Sequence, residues 1–228
     1  MSTTLSTSLS TTSSYADDLH QAKPHGPQKI IDLINERLLS NSPFFSFEYF
    51  PPKTDLGVSN LLTRMERMAL CEPLFMDITW GAGGTTSALT LDIASVAQRS
   101  FRPEIMMHLT CTNMPKETLR NALEQAKNAG IRNILALRGD PPQGTSEEDW
   151  HAIDGGFQNA SDLVAFIRQE YGTWFGIAVA GYPEGHMTCT SLDDDIKHLK
   201  TKIDAGGDFV ITQLFYDVNL FLTFVQKC

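Results

Sequence analysis

The sequence predicts an α/β fold in which a parallel sheet is wrapped by helices. Six apolar runs typical of buried strands each precede a loop rich in Gly, Pro and Asp and then a helical pattern. Successive runs start roughly 30 residues apart, with one longer interval, which is about the size of a βαβ unit. The expected strands begin near Phe44, Phe75, Ile105, Ile134, Gly176 and Phe209.

Two architectures fit six consecutive βα units. One is an open, doubly wound sheet, and the other is a (β/α)8 TIM barrel, which takes about 250 residues when complete. The chain has 228 residues and ends inside the helix that follows the sixth strand. Because the even spacing gives no sign of a reversal in strand order, it favours an incomplete barrel of about six βα units. The first and sixth strands of such a barrel would be unpaired edges.

The composition is that of a globular protein and argues against several partners. Of the residues, 42% are hydrophobic, and the formal net charge is −9. Without a basic cluster, this charge argues against a nucleic acid or an anionic membrane surface as partner. No apolar run approaches the roughly 20 residues of a membrane span. The four cysteines lie far apart, as expected of reduced thiols in a cytoplasmic protein.

Residues 1–28 are expected to form a disordered leader and linker. Residues 1–14 are nearly all Ser, Thr and Leu, without the arginines of a mitochondrial transit peptide. Apolar residues at helical spacing then predict a leading helix over residues 30–39, which ends before Pro43. We therefore assign residues 29–228 to a single barrel domain.

Several residues mark the ends of the later helices. Gly130 and Gly206 each follow a last helical turn, where glycine can adopt the left-handed conformation. Pro115, Ser161–Asp162 and Ser191 are expected to open helices. The acidic run that follows Ser191 could bind a metal, but first-turn carboxylates favoured by the helix dipole are the more general explanation.

A charged tripeptide ends the fourth predicted strand. Arg138, Gly139 and Asp140 follow an apolar run, and two prolines prevent its continuation as strand or helix. In parallel α/β folds, ligands bind at the carboxyl ends of the strands, so these side chains are candidates for a site. The alternative is a surface turn in which the Arg and the Asp pair with each other.

The other predicted strand ends are also polar. Glu48 is flanked by aromatic residues, which desolvate a carboxylate and raise its pKa, as a general acid requires near neutral pH. The alternative is a glutamate on the exposed face of an alternating strand. The residues expected at these ends, besides Arg138 and Asp140, are Glu48, Thr79, Trp80, His108, Tyr182 and Gln213.

Two motifs carry weaker signals. Residues 81–86 form a Gly- and Thr-rich loop that could hold a phosphate on backbone N–H groups at a helix N-terminus, or could be a plain tight turn. His108 and Cys111 could suggest a metal, but no further His or Cys pair gives readable ligand spacing. We therefore predict no metal site.

Six motifs in register resemble the methylenetetrahydrofolate reductase family. No single motif is decisive, but they occur in the order of the family and cover roughly residues 44–228. They are Ser46-Phe47-Glu48-Tyr49-Phe50-Pro51-Pro52, Asp77-Ile78-Thr79-Trp80-Gly81, His108-Leu109-Thr110-Cys111, Leu137-Arg138-Gly139-Asp140-Pro141, Ala180-Gly181-Tyr182-Pro183-Glu184-Gly185-His186 and Ile211-Thr212-Gln213-Leu214-Phe215.

The resemblance implies a catalytic (β/α)8 barrel that holds FAD. In the family, FAD takes a hydride from NADPH or NADH and passes it to 5,10-methylenetetrahydrofolate, giving 5-methyltetrahydrofolate in one-carbon metabolism and methionine biosynthesis. Glu48 matches the general acid that helps to open the five-membered ring of the folate. Asp140 matches the carboxylate that stabilises the resulting cation. Gln213 matches a residue that contacts folate.

The resemblance also assigns a set of cofactor residues. Lys202, Arg138 and the histidines would supply the local positive charge that a pyrophosphate needs in an acidic protein. Part of the acidic run would then hold cofactor through Asp195. The FAD positions carried over are Thr79, Trp80, Ala82, His108, Arg138, Gly139, Asp140, Ala160, Tyr182, His186, Asp195 and Lys202.

The chain departs from the family in extent. It lacks the last two βα units and the C-terminal regulatory domain of eukaryotic members, whose full-length form is expected to be a homo-oligomer. One alternative is therefore an inactive truncated fragment that acts at most as a binding or assembly partner. Another is a flavin-free barrel lyase that uses Glu48 and Asp140, which rests on fold alone.

Overall fold

The computed structural model describes residues 23, 25–81, 87–139 and 153–228. In this part of the chain, strands and helices alternate after one leading helix. The elements are α1 (Ile30–Leu39), β1 (Ser46–Tyr49), α2 (Asp55–Ala69), β2 (Phe75–Ile78), α3 (Ser87–Ser100), β3 (Glu104–Thr110), α4 (Lys116–Asn128), β4 (Asn133–Leu137), α5 (Ala160–Tyr171), β5 (Gly176–Gly181), α6 (Leu192–Asp204), β6 (Phe209–Thr212) and α7 (Val218–Lys227).

The six strands form one parallel sheet in sequence order. Each strand pairs only with its neighbours along the chain, so there is no switch in strand order, and the open doubly wound alternative is wrong. The sheet is an incomplete TIM barrel, as the spacing predicted. Among the described residues, β1 and β6 do not pair with each other and are the two edges.

Strand positions agree with the predicted starts to within two residues. The largest difference is at β1, whose ladder begins at Ser46 rather than Phe44. The backbone carbonyl of Phe45 still accepts a hydrogen bond from the N–H of Leu74, at 2.9 Å. Contact with the neighbouring chain segment thus begins before the regular ladder does.

Alternation of side chains gives the sheet an inner and an outer face. The outer face, which includes Met76, Ile105 and Ile177, packs beneath the helices in the larger hydrophobic cluster. The inner face carries a second cluster that includes Met106 and Leu135. Because both faces are covered, the central strands β2 to β5 are mostly apolar, as the sequence suggested, and most of their polar residues lie near the strand ends.

The leading helix α1 closes the amino-terminal end of the inner face. Ile30 is fully buried in the inner cluster. Asn133, the first residue of β4, accepts a hydrogen bond from the N–H of Ile30 at 2.7 Å and donates one to the carbonyl of Gln28 at 3.0 Å. At the same end, the buried ammonium of Lys23 lies 3.1 Å from the Glu104 carboxylate. Ile30 thus covers the amino-terminal end of the barrel interior, and the polar contacts of Asn133 and Lys23 lie around it.

Helix ends agree with the sequence in most cases. Gly130 and Gly206 adopt positive φ values of 80° and 123°, and the Ser191 side chain accepts from a backbone N–H in the first turn of α6. The prediction that Ser161–Asp162 opens α5 was wrong by two residues. Asn159 is the cap there, because it forms a reciprocal capping box with Asp162.

Two further expectations concern the helices and the thiols. Within the described ranges, no helix combines the length and apolar character needed to cross a bilayer. All four cysteines are free, in agreement with their wide separation in the sequence.

Candidate active site

A charged cluster lies at the carboxyl ends of the first three strands. Glu48 on β1 is the ladder partner of Asp77 on β2, and Asp77 in turn is the partner of Met106 on β3. His108 lies two residues beyond Met106, so alternation places it on the same face of the sheet. Three ionisable side chains therefore meet on the inner face.

The three side chains are within reach of one another. His108 Nε2 lies 2.9 Å from the Asp77 carboxylate and 3.9 Å from that of Glu48. One polar atom from each of the three lies within 4.8 Å of the other two. The Asp77 and His108 side chains are buried, whereas that of Glu48 is 47% exposed. Glu48 is thus the member that can meet a ligand.

Burial raises the pKa of Glu48 above its ordinary value. The positive charge that His108 can carry opposes this shift, whereas the Asp77 carboxylate adds to it. A raised pKa suits a residue that must hold a proton near neutral pH. The contact of His108 Nε2 with Asp77 lets the cluster share a proton, and the same three ligand atoms are also close enough together to hold a metal ion.

The raised pKa was expected, but for a different reason. The sequence pointed to the aromatic neighbours of Glu48 along its strand. Phe47 and Tyr49 instead belong to the outer hydrophobic cluster, because adjacent residues of a strand face opposite ways. Desolvation on the inner face and the charge on β2 are the causes in the structure.

Thr79 and Trp80 follow β2 directly. The N–H of Thr79 donates to the carbonyl of Tyr49 at 2.9 Å, which extends the pairing of β1 with β2. Trp80 is buried, and its indole N–H finds no hydrogen-bond partner among the described residues. Ala82 and the rest of the proposed phosphate loop, residues 82–86, lie outside the described residues.

Arg138 and Gly139 follow β4. The Arg138 carbonyl accepts a hydrogen bond from the N–H of Thr112, at 2.9 Å. Gly139 has φ of 89°, and a Cβ atom there would lie 2.9 Å from Cβ of Thr110, so the position needs glycine. Asp140 and the two prolines lie outside the described residues.

A cleft of about 630 Å3 opens beside this loop. It lies between the carboxyl ends of β4 and β5, the amino-terminal turn of α5, and α6. Six of the residues that line the cleft are positions that the family resemblance assigned to FAD. Those positions are Arg138, Ala160, Tyr182, His186, Asp195 and Lys202.

The polar groups of the cleft hold one another in place. The Lys202 ammonium donates to the Ala180 carbonyl at 2.6 Å and lies 5.4 Å from the centre of the Tyr182 ring. Burial lowers the pKa of Lys202, although the Asp195 carboxylate opposes this shift. Asp195 is buried and accepts a hydrogen bond from the N–H of His186 at 3.2 Å. The cleft therefore contains a partly buried lysine with an acidic neighbour.

Two neighbouring residues of the acidic run at the start of α6, Asp194 and Asp195, have different surroundings. Asp194 is exposed, and hydrogen bonds from Lys197, Ser191 and Thr190 lower its pKa to about 2. Asp195, the next residue, is buried, and both side chains line the cleft. The run therefore starts a helix, as the more general interpretation predicted, and cofactor contact by Asp195 stays a prediction.

Gln213 lies just beyond β6, at the open edge of the sheet. Its N–H donates to the carbonyl of Gly181 at 2.8 Å, and its side chain is exposed. It is therefore available to a ligand, but it lies at the opposite edge of the sheet from Glu48.

The sequence reasoning gave no role to Asp77. Its signal was a single carboxylate in a four-residue strand whose other members, like Asp77 itself, are buried. It also missed cleft residues at the cap of α5, in the loop before α6 and on one face of α6, because loop geometry is not readable from periodicity. These residues include Asn159, Thr188, Cys189, Thr190, His198 and Thr201.

Comparison with known proteins identifies the family. The family model of methylenetetrahydrofolate reductase matches residues 33–228. The chain belongs to this family. A methylenetetrahydrofolate reductase (NADH) from Zea mays is 52% identical over 209 residues, which are 88% of this chain and 35% of that protein. Methylenetetrahydrofolate reductase 1 of Schizosaccharomyces pombe is 52% identical over 184 residues, covering 80% of this chain and 30% of the relative.

Family members differ in length. The chain spans about a third of the length of these plant and yeast reductases. A 5,10-methylenetetrahydrofolate reductase from Pectobacterium carotovorum subsp. carotovorum is 37% identical over 183 residues, or 80% of this chain and 58% of that protein. The match to the family thus includes both short and long members.

Solved structures outside the family share the backbone arrangement. A 2,3-dimethylmalate lyase aligns with a TM-score of 0.58 at 12% identity, over 88% of this chain and 69% of its own. A phosphonopyruvate hydrolase aligns with a TM-score of 0.56 at 13% identity, over 87% of this chain and 68% of its own. At such low identity, these likenesses establish the fold alone.

Proposed function

We propose that this chain is the flavin-binding catalytic region of a reductase that converts 5,10-methylenetetrahydrofolate to 5-methyltetrahydrofolate. The observation that carries the proposal is Glu48, a half-exposed carboxyl group of raised pKa at the carboxyl end of an inner strand. Relatives are named as NADH or NADPH reductases, so the electron donor is a nicotinamide dinucleotide. As the resemblance implies, the protein would be cytoplasmic and, at the length of its relatives, homo-oligomeric.

The cleft beside β4 and β5 has the properties of an FAD site. Its volume of about 630 Å3 lies within the range of roughly 300–1,000 Å3 usual for cofactor sites. Lys202 and Arg138 would hold the phosphates. The amino-terminal turn of α5 adds backbone N–H groups, which also favour an anion. Bound FAD would supply hydride transfer from the nicotinamide to the folate.

The side chains of the chain would handle protons and charge. Glu48 would donate a proton to the folate nitrogen whose bond to the bridging carbon breaks, and its exposed position would allow contact with substrate. Asp140 would stabilise the cation that results, because a fixed carboxylate favours positive charge nearby. Gln213 would contact the folate from the other edge of the sheet.

Replacing Glu48 with Gln separates the two half-reactions. We expect Glu48→Gln to lower the rate of folate reduction by roughly 10²–10⁴-fold, the usual contribution of general acid catalysis. Reduction of the flavin by NAD(P)H, which needs no proton from this residue, should keep its rate. Stopped-flow absorbance can follow each half-reaction. Glu36→Gln, at an exposed position of α1, is the matched control. Equal losses in both half-reactions would show that Glu48 is structural.

A second candidate is a chain without activity that binds or assembles with a partner. The two open edges of the sheet favour it, because unpaired strands offer backbone groups to another chain. Absorption spectra of the purified 228-residue chain with added FAD and NAD(P)H separate the candidates. We expect a bound flavin that bleaches on addition of the nicotinamide. A chain that binds no FAD would contradict the first proposal, whereas flavin reduction would contradict the second.

A further inference from the structure

Asp77 is a buried carboxylate that the proposed reaction leaves without a role. Its side chain is 5% exposed on the inner face, between Glu48 on one neighbouring strand and His108 on the other. His108 Nε2 lies 2.9 Å from it, and a Glu48 carboxylate oxygen lies within 4.8 Å of it. Every other residue of β2 is apolar, so nothing in the strand itself explains a charged group here.

We propose that Asp77 is a positioning residue that keeps the proton on Glu48 and fixes the orientation of the His108 ring. This inference rests on the proposed function, since the proton on Glu48 matters there for opening the folate ring. Asp77 would not contact substrate itself. Its effect would pass through the two side chains beside it.

The contacts decide which carboxyl group carries the proton. Two carboxylates this close do not readily ionise together, so one of them retains a proton to a higher pH. His108 Nε2 lies 2.9 Å from the Asp77 carboxylate and 3.9 Å from that of Glu48, so the imidazole contacts Asp77 rather than Glu48. Glu48 therefore has the weaker contact with His108, and the Asp77 carboxylate beside it raises the pKa of Glu48 further.

Glu48 and Asp77 also differ in exposure, and this difference suits repeated proton transfer by Glu48. Asp77 and His108 are buried, whereas Glu48 is about half exposed. Glu48 can therefore give its proton to a ligand and take another from solvent, whereas the buried Asp77 side chain contacts neither. Among the described residues, Asp77 from β2 and His108 from β3 are the titratable groups that act on Glu48, whose pKa burial raises first and Asp77 raises further.

Replacing Asp77 with Asn tests the proposal. The amide keeps the shape and can still accept from His108, but it removes the negative charge beside Glu48. The rate of folate reduction requires protonated Glu48, so it declines as pH rises through the pKa of that group. In Asp77→Asn we expect this decline at lower pH and a loss of about tenfold or more at neutral pH, less than in Glu48→Gln. Flavin reduction by NAD(P)H should keep its rate.

Two further variants complete the design. Asp77→Glu restores the charge and should return the decline toward its original pH. Asp92→Asn removes the same charge from the exposed side of α3 and should leave the pH profile unchanged. If Asp77→Asn does not fold, Asp77→Ser removes the charge with a smaller polar group and has the same expected outcomes.

A direct titration keeps this inference separate from the proposed function. The 13C resonance of the Glu48 carboxyl can be followed against pH in the 228-residue chain without folate, with Glu48→Gln to assign it. We expect its pKa to fall in Asp77→Asn. An unchanged titration and pH profile in a folded variant would overturn the inference. Absence of folate reduction in the unmodified chain would count against the proposed function, and the titration would still decide the role of Asp77.

Discussion

Lys202 is the partly buried lysine on which the cofactor proposal depends most. Its ammonium group contacts the Ala180 carbonyl and lies near the Tyr182 ring, so its position is set by groups on β5 and in the loop after it. A fixed, partly desolvated ammonium binds an anion more strongly than a flexible surface lysine does. Its neighbour on α6, Lys200, is 71% exposed and pairs with Asp204 instead.

Replacing Lys202 with Met should weaken FAD binding. Hydrogen bonds to charged groups contribute about 1.5–3 kcal/mol, so we expect the Kd for FAD to rise about tenfold or more. Quenching of flavin fluorescence on titration with protein measures this change. Lys200→Met, which removes a charge from the exposed side of the same helix, should leave the Kd unaltered. Equal effects of the two variants would show that only net charge matters.

The same lysine gives FAD binding a pH dependence. Burial lowers the pKa of Lys202, so the group loses its positive charge at lower pH than an ordinary lysine does. The affinity for FAD should therefore fall as pH rises into the alkaline range. This fall should occur at a lower pH than the titration of a surface lysine would give. This fall should be missing in Lys202→Met.

Single residues show where sequence reasoning reaches its limit. The raised pKa of Glu48 was predicted from its aromatic neighbours along the strand, whereas burial and the Asp77 carboxylate cause it in the structure. Asp77 was not predicted, because its importance comes from the ladder register that sets it opposite Glu48. Register between strands depends on packing along the whole sheet, which one strand does not encode.

Strands and helices were more predictable than their contacts. The even spacing of apolar runs predicted the order of β1 to β6, because short loops leave consecutive βα units no other neighbours. The leading helix was predicted from its periodicity. Its packing against the inner face was not, because an apolar stripe does not say which surface it covers.

Asn133 joins the leading helix to the sheet, and its replacement should weaken the attachment of that helix to the sheet. Asn133→Ala leaves the N–H of Ile30 and the carbonyl of Gln28 without their partner. Two lost hydrogen bonds with buried groups left unsatisfied should lower the free energy of unfolding by about 2–4 kcal/mol. Urea denaturation measures the loss, and hydrogen exchange should show it concentrated in α1. Asn121→Ala, on the exposed side of α4, should cost little.

At the scale of the molecule, the part of the chain that the structure describes is a sheet with two open edges and apolar surface beside them. Leu214 and Leu222, near the β6 edge, are 75% and 52% exposed, and Phe50, after β1, is 72% exposed. Exposed apolar patches next to unpaired strands favour association between chains.

We therefore expect the 228-residue chain to self-associate as its concentration rises. Leu222→Lys on α7 should weaken this association, because it places a charge on the apolar surface. Val96→Lys adds the same charge to α3, away from both edges, and should have little effect. Sedimentation velocity over a range of concentrations measures both. A monomer at all concentrations would show that the edges are protected in solution.

The two ends of β3 carry charged groups that serve different purposes. At one end, Glu104 is paired with Lys23, and at the other, His108 belongs to the proton-sharing cluster with Glu48. Met106 and its apolar neighbours separate them by four residues, or roughly 13 Å along the strand. Neither member of the Lys23–Glu104 contact therefore touches Glu48, Asp77 or His108 directly. The two ends of β3 thus hold separate polar groups with an apolar layer between them, one group joining the sheet to the segment before α1 and the other facing the ligand side of the barrel.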